Sequence, residues 1–245
     1  MGNVCCSGGE LQPGQNIDVN GAPIPYAKAD EFKPDLSQAT FVEKVYPVGK
    51  YQGQMVKGKR CGQGTCFYNA GPSYEGQWWE DRCHGEGKFQ DKDSTYTGQW
   101  KQGKKHGLGE EVWKDDGTKY VGQHVMGNKH GQGKYIWQDG SSYAGQFEND
   151  VVQGEGVLTD TEGGIYKGQF HDNMQHGTGK YVLGTVTYEG QWVETLKHGQ
   201  GTEVDSASGV TYKGAFADGV RHGTGKETDK AGKTTSVKYN QGAKA

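Results

Sequence analysis

The chain has 245 residues, of which Leu, Ile, Val and Phe supply only 36, about 15 %, below the roughly 20 % expected of a chain with a globular aliphatic core. Glycine, at 43, is the commonest residue, yet the net charge is only −3 and aromatics make up 11 %, which is not the balance of a disordered chain. The longest apolar runs are three residues, such as Tyr135-Ile136-Trp137, which excludes a membrane-spanning helix, and no long Lys/Arg block marks a nucleic-acid partner.

The first segment in chain order, Met1-Gly2-Asn3-Val4-Cys5-Cys6-Ser7, resembles an N-myristoylation signal. Removal of Met1 exposes Gly2 as the acceptor, and Cys5 and Cys6 follow as sites for S-palmitoylation. The usual Ser/Thr at the sixth position is Cys6 here, with Ser7 one residue later. One myristoyl chain binds a membrane only marginally, so a second acyl chain on Cys5 or Cys6 would make the attachment stable. Residues 1–7 are read as this signal and residues 8–40, which hold Pro13, Pro23, Pro25 and Pro34 and no repeat, as a flexible tether. Residues 41–50 are expected to hold a short capping strand, Phe41-Val42-Glu43-Lys44-Val45-Tyr46. Cys61, Cys66 and Cys83 complete an uneven set of five cysteines, too few for a disulfide framework and suited to a reducing, cytosolic setting.

From Tyr51 onward the glycines fall into register. Tyr-x-Gly recurs at Tyr51/Gly53, Tyr74/Gly76, Tyr96/Gly98, Tyr120/Gly122, Tyr143/Gly145, Tyr166/Gly168, Tyr188/Gly190 and Tyr212/Gly214, in steps of 22–24 residues. With Tyr as position 0, position +4 is Met55, Trp78, Trp100, His124, Phe147, Phe170, Trp192 and Phe216. Positions +11 and +13 are glycine in all eight units, from Gly62/Gly64 to Gly223/Gly225, and +10 is His in six of them, with Cys61 and Gln153 in the other two. Side chains alternate along a strand, so 0, +2 and +4 share one face. Gly-x-Gly then suits a loop leading into a return strand. Each unit therefore predicts one hairpin. Isolated hairpins are marginal in water, so eight of them must stack as about 16 antiparallel strands, a ribbon roughly 75 Å long. Residues 235–245 read as a partial ninth unit that caps the array, with Val237-Lys238-Tyr239 as its first strand and Gln241 at its glycine position.

This pattern, Tyr-x-Gly-x-aromatic followed by His-Gly-x-Gly at a period near 23 over residues 51–234, resembles the MORN (membrane occupation and recognition nexus) repeat family. The resemblance implies an all-β fold, an elongated single-layer solenoid of about eight stacked antiparallel hairpins. It also implies a part in organising membrane-associated or cytoskeletal structures, often through self-association. Phosphoinositide binding is attributed to the same repeat class, and radial-spoke components of cilia and flagella carry these repeats.

No catalytic constellation stands out from the repeat background, and no cofactor or metal site is expected. His84, His106, His130, His176, His198 and His222 lack the close pairing of metal ligands and are read as fixing their own loops. Gly-x-Gly is not followed by a helix N-terminus, so it reads as turn geometry rather than a phosphate cradle. The glutamine at +3 in seven units, from Gln54 to Gln191, faces away from the tyrosines. A row of amides there suits either a partner or hydrogen bonds to neighbouring strands.

Two surfaces remain as candidate sites. Residues +5 to +9 sum to +6 in the first four units and −3 in the last four, which makes Lys57, Lys59, Arg60, Lys101, Lys104, Lys105 and Lys129 candidates for contact with anionic head groups or a partner. Tyr74, Trp78, Tyr96, Trp100, Tyr143, Phe147, Tyr166, Phe170, Tyr188, Trp192, Tyr212 and Phe216 are expected to present an aromatic face to protein partners, a second copy in an antiparallel dimer included. The reading is a non-catalytic scaffold held on the cytoplasmic face of a plasma, cortical or flagellar membrane by myristoyl and palmitoyl chains. Its alternatives are a module that binds anionic phospholipids and a ciliary or cytoskeletal subunit.

Overall fold

The computed structural model describes residues 34–245, so Gly2, Cys5, Cys6 and most of the tether lie outside the described residues. The described chain is all β. It runs from β1 (Thr40–Tyr46) through sixteen strands, β2 (Gly49–Val56) to β17 (Val220–Thr228), and then β18 (Thr234–Asn240) and β19 (Ala243–Lys244). Each strand pairs antiparallel with its neighbours in sequence, as in β1–β2, β2–β3 and β17–β18. The result is one open sheet of 19 strands, an elongated single-layer solenoid.

Each hairpin turns on residues +6 and +7, both at positive φ, for example Lys57 and Gly58, Asn149 and Asp150, or Asp172 and Asn173. Such two-residue turns carry the backbone twist that antiparallel strands need. Gly, Asp or Asn fills +7 in every unit but the seventh, where Thr195 is held at φ 72°.

The Gly-x-Gly pair does not form the loop, contrary to the sequence reading; it lies inside the return strand. In the first hairpin Gly53 pairs with Gly64 but Met55 pairs with Arg60, so the return strand carries two extra residues in a bulge. Gly62 at +11 bends there with φ 86°. The amide oxygen of the +3 glutamine closes the bulge by accepting the +12 N–H, as in Gln54 with Gln63 at 2.7 Å and Gln99 with Leu108 at 3.0 Å. The amide row therefore serves the hairpin itself.

Glycine at +13 is required for a different reason. The ring of each position-0 tyrosine lies over its own hairpin, and a Cβ on Gly64 would stand 2.2 Å from the Tyr51 hydroxyl. That hydroxyl donates to the +3 carbonyl, at 2.8 Å for Tyr51 to Gln54 and 2.9 Å for Tyr188 to Gln191. Burial pushes these phenols up from their ordinary pKa, to about 12 at Tyr188, so they remain neutral donors.

The +4 side chain then covers two tyrosines at once. Trp100 meets Tyr96 of its own hairpin at 5.1 Å and Tyr74 of the preceding one at 5.2 Å, both edge to face. Trp192 repeats this on Tyr188 and Tyr166 at 5.2 and 5.0 Å. Contacts of this kind add about 0.5–1.5 kcal/mol each beyond area burial. The ring ladder is the core, and this corrects the expected aromatic face. Tyr74, Trp78, Tyr96, Trp100, Tyr143, Phe147, Tyr166, Phe170, Tyr188, Trp192, Tyr212 and Phe216 are all between 0 and 8 % exposed. Without a second layer the rings have to cover one another, and little of them is left for a partner.

At the N-terminal end β1 covers β2, with Val42 and Tyr46 packed on the first core cluster. At the other end the register differs from the sequence reading. Gly223 pairs with Tyr239 and Gly225 with Val237, so Tyr239 stands at +4, Thr235 at 0 and Gln241 in the turn at +6. Packing decides this: Tyr239 caps Tyr212 at 5.4 Å, as Phe216 caps Tyr188 at 4.8 Å.

Candidate functional site

Successive hairpin turns are joined along one edge of the ribbon. The +7 N–H donates to the +9 carbonyl of the preceding hairpin, as in Asp81 to Arg60 at 3.1 Å, Asp150 to Lys129 at 3.0 Å and Gly219 to Lys197 at 3.0 Å. This join fixes where the +9 side chain goes, which is inward beside the tyrosines. The Arg60 guanidinium lies 4.2 Å from the Trp78 ring and 3.2 Å from the Asp81 carboxylate. The Lys105 ammonium sits 5.0 Å over Tyr96 and pairs with Glu111. Lys129 is held among Trp113, Tyr120 and Tyr135 at 5.2–5.6 Å.

Arg60, Lys105 and Lys129 are thus taken up by internal cation–π contacts and ion pairs, and this corrects their expected place on a basic outer edge. Lys57, Lys59, Lys101 and Lys104 do lie along the turns. Lys59 is 3.6 Å from Glu80, and Lys101 stands opposite Lys104 across its hairpin.

Three of the six motif histidines reach across to the following hairpin rather than only fixing their own loop. His84, His106 and His222 accept at Nδ1 from the +6 N–H of the following turn, at 3.5, 3.4 and 3.3 Å. Gln153, which replaces His at +10, does the same for Asp172 at 3.1 Å. On the other edge, aspartates hold the turns between hairpins. Asp91 accepts from the N–H groups of Asp93 and Ser94 at 2.9 and 2.7 Å, and Asp160 accepts from Gly164 at 2.7 Å. The backbone N–H of Ser94 draws the Asp91 carboxyl below the usual range, against a smaller opposing effect of burial.

Two exposed features escaped the sequence reading. On the face opposite the rings, +1 and +14 stand side by side, and in the C-terminal half they bring Lys167 opposite Lys180 and Lys213 opposite Lys226, with Lys238 on β18. Along the turn edge of the sixth to eighth hairpins, Met174, Val193, Leu196 and Val220 are 37–47 % exposed. Both rows are visible in the sequence once the strand face of each offset is tracked. Counting turn charges from +5 to +9 mixed inward and outward positions. Among the described residues no group of His, Cys, Asp and Glu is arranged to hold a metal ion.

The MORN repeat model matches residues 51–72, 74–95, 96–118, 120–142, 143–165, 166–185, 188–208 and 212–234, well over half of the chain. The chain belongs to the MORN repeat family. The MORN repeat is a non-enzymatic repeat type, associated with protein interaction or membranes. No curated protein matches the sequence. Among solved structures the MORN array is similar to the TCP domain of SAS-4 (dCPAP) from Drosophila melanogaster, determined in complex with a proline-rich motif of Ana2 (dSTIL). The two share 8 % identity with a TM-score of 0.36, over 85 % of this chain and 94 % of that one.

Two MORN repeats lack a Trp or Phe at +4 in the core, the first with Met55 and the fourth with a histidine. In the fourth, position +4 is His124, 1 % exposed, stacked edge to face on Tyr96 and Tyr120 at 5.2 and 5.1 Å. Neither ring nitrogen has a hydrogen-bond partner. Burial, helped by Lys105 and Lys129 and opposed by Asp150, lowers its pKa to about 4. The imidazole serves there as a neutral aromatic spacer.

Proposed function

We propose that this MORN protein is a non-catalytic scaffold, held on the cytoplasmic face of a membrane by acyl chains on Gly2 and on Cys5 or Cys6, and binding protein partners along its turn edge. The observation that carries partner binding is the row of Met174, Val193, Leu196 and Val220, exposed along the turns of three successive hairpins. Contiguous apolar exposure of this kind marks interaction surfaces. It takes the place of the buried ring face as the partner surface. The anchor rests on the sequence Met1–Ser7 and on the need for two lipid signals for stable attachment.

The test is fractionation of the full-length protein beside Gly2→Ala and Cys5→Ala/Cys6→Ala. Wild type is expected in the membrane fraction and both variants largely in the supernatant; equal membrane binding of all three overturns the anchor. Leu196→Glu, which leaves the ring ladder intact, is expected to stay on membranes and lose co-purifying partners.

A second reading, direct contact with anionic lipid, is favoured by Lys213 and Lys226, which face each other across their hairpin, with Lys238 on β18 beside them. Each Lys near an anionic leaflet contributes about 1 kcal/mol, and like charges set opposite each other across a strand pair are unfavourable unless an anion lies over them. A non-acylated chain that binds phosphatidylserine vesicles in a salt-sensitive way, and loses that binding in Lys213→Glu/Lys226→Glu, supports this reading.

A further inference from the structure

The two ends of the sheet are complementary fragments of one repeat. β1 pairs with β2 as the return strand of a preceding hairpin would: Thr40 lies opposite Met55, Val42 opposite Gly53 and Lys44 opposite Tyr51. This is the pairing that Gly62, Gly64 and Cys66 make with Trp78, Gly76 and Tyr74. β1 therefore occupies positions +11 to +17. At the other end β18 occupies −1 to +5, and β19 follows its turn, with Ala243 opposite Asn240 and Lys244 opposite Tyr239, at positions +8 and +9. Among the described residues the outer edge of β1 has no neighbouring strand, and β18 is paired on its outer side at two residues only.

We propose that the protein self-associates head to tail, the β1 edge of one molecule docking on the β18 edge of the next to complete a ninth hairpin from two chains. The register follows from the internal hairpins, where 0 faces +15, +1 faces +14 and +2 faces +13, as in Tyr51–Cys66, Gln52–Thr65 and Gly53–Gly64. Thr235 then faces Lys44, Ser236 faces Glu43 and Val237 faces Val42 of the second molecule. The side chains suit that register. Position 0 is Thr235, so no tyrosine ring needs clearance, and the two valines occupy the space that Gly–Gly leaves for a ring elsewhere. Phe41 and Val45, 76 and 77 % exposed, come to lie beside Lys238 and Thr234. Unpaired edges are ready templates for strand addition, and because the two edges differ, the contact is heterologous and propagates in one direction.

The join is weaker than the junctions inside the chain. It has no position-0 ring, and it brings Lys44 at +15 toward Lys244 at +9, where internal repeats place an ion pair such as Lys197 with Glu203 at 2.6 Å. Lys44→Glu restores that pair at a residue exposed in the monomer. It should tighten association roughly five-fold at low salt, the upper range for such a pair. The proposal does not depend on the membrane reading and is tested in solution.

The experiment uses the full chain carrying Cys5→Ser/Cys6→Ser. Glu43→Cys and Ser236→Cys are made in separate molecules, both at exposed sites directly opposite each other in the proposed register. Under mild oxidation the two variants should form a disulfide-linked dimer when mixed, and neither should do so alone. Sedimentation should show a concentration-dependent series for the parent that Lys44→Glu shifts to lower concentration. Absence of the mixed cross-link, cross-linking of either variant with itself to the same extent, or a Lys44→Glu protein no more associated than the parent overturns the proposal.

Discussion

Tyr166 and Trp192 belong to successive hairpins and meet edge to face at 5.0 Å, with the indole N–H donating to the carbonyl of Gly179 at 3.1 Å. One side chain thus ties a ring, a backbone group and two repeats together. Trp192→Ala should cost about 3–5 kcal/mol. In a one-dimensional array that loss stays near the seventh repeat, so hydrogen exchange should accelerate around residues 166–216 and remain unchanged around residues 51–100.

The two kinds of motif glycine predict different penalties. Gly87→Ala drives a Cβ to 2.2 Å from the Tyr74 hydroxyl, and the ring has no free space to move into. A loss of about 1–3 kcal/mol is expected from overpacking, together with loosening of the Trp78 and Trp100 contacts. Gly58→Ala meets no atom within 4 Å and carries only the strain of φ 78°, about 1 kcal/mol. Urea titration of the two variants should rank them in that order.

Replacing Gln99 with Met leaves the Leu108 N–H, now bonded to the Gln99 amide at 3.0 Å, without its acceptor inside the bulge. A cost of about 1–3 kcal/mol follows, although the substitution is nearly isosteric. If the amide row were mainly a partner surface, stability would not change; a thermal melt distinguishes the two.

His124 makes the array pH-sensitive. Its folded pKa, about 4, lies below the ordinary value near 6.5, so the unfolded chain binds the extra proton first. The contribution is fully present above about pH 6.5, is lost as pH falls toward 4 and levels off below that. With roughly 1.4 kcal/mol per unit, the full loss is about 3 kcal/mol. His124→Phe, the residue three other repeats carry at +4, should stabilise the protein and flatten that part of the profile. An unchanged slope between pH 6.5 and 4 would show that His124 is not its source.

The eight tyrosines, the +4 rings and the glycine spacing made the hairpin array legible in the sequence, because a period of two within strands and a period near 23 between them admit few alternatives. The site was harder to read. Arg60 and Leu196 both lie in segments that look like loop, and only the positive-φ pair at +6 and +7 shows that +9 turns toward the rings while +8 stays on the edge. Tyr239 misled for a related reason. It stands two residues before Gln241, as a position-0 tyrosine stands before its glycine, but the ring that Tyr212 needs above it is supplied from +4. The burial of the aromatic row follows from the lack of a second layer, and composition alone does not convey it.

The lock between one hairpin's tyrosine and the next hairpin's +4 ring has the same geometry at every junction, whether the +4 residue is Trp, Phe or His. A whole unit inserted or deleted therefore recreates an existing junction and needs no new one. Reach along the ribbon becomes a discrete quantity, changed in increments of two strand spacings, roughly 10 Å, so duplication alone can lengthen the molecule like sections added to a ruler.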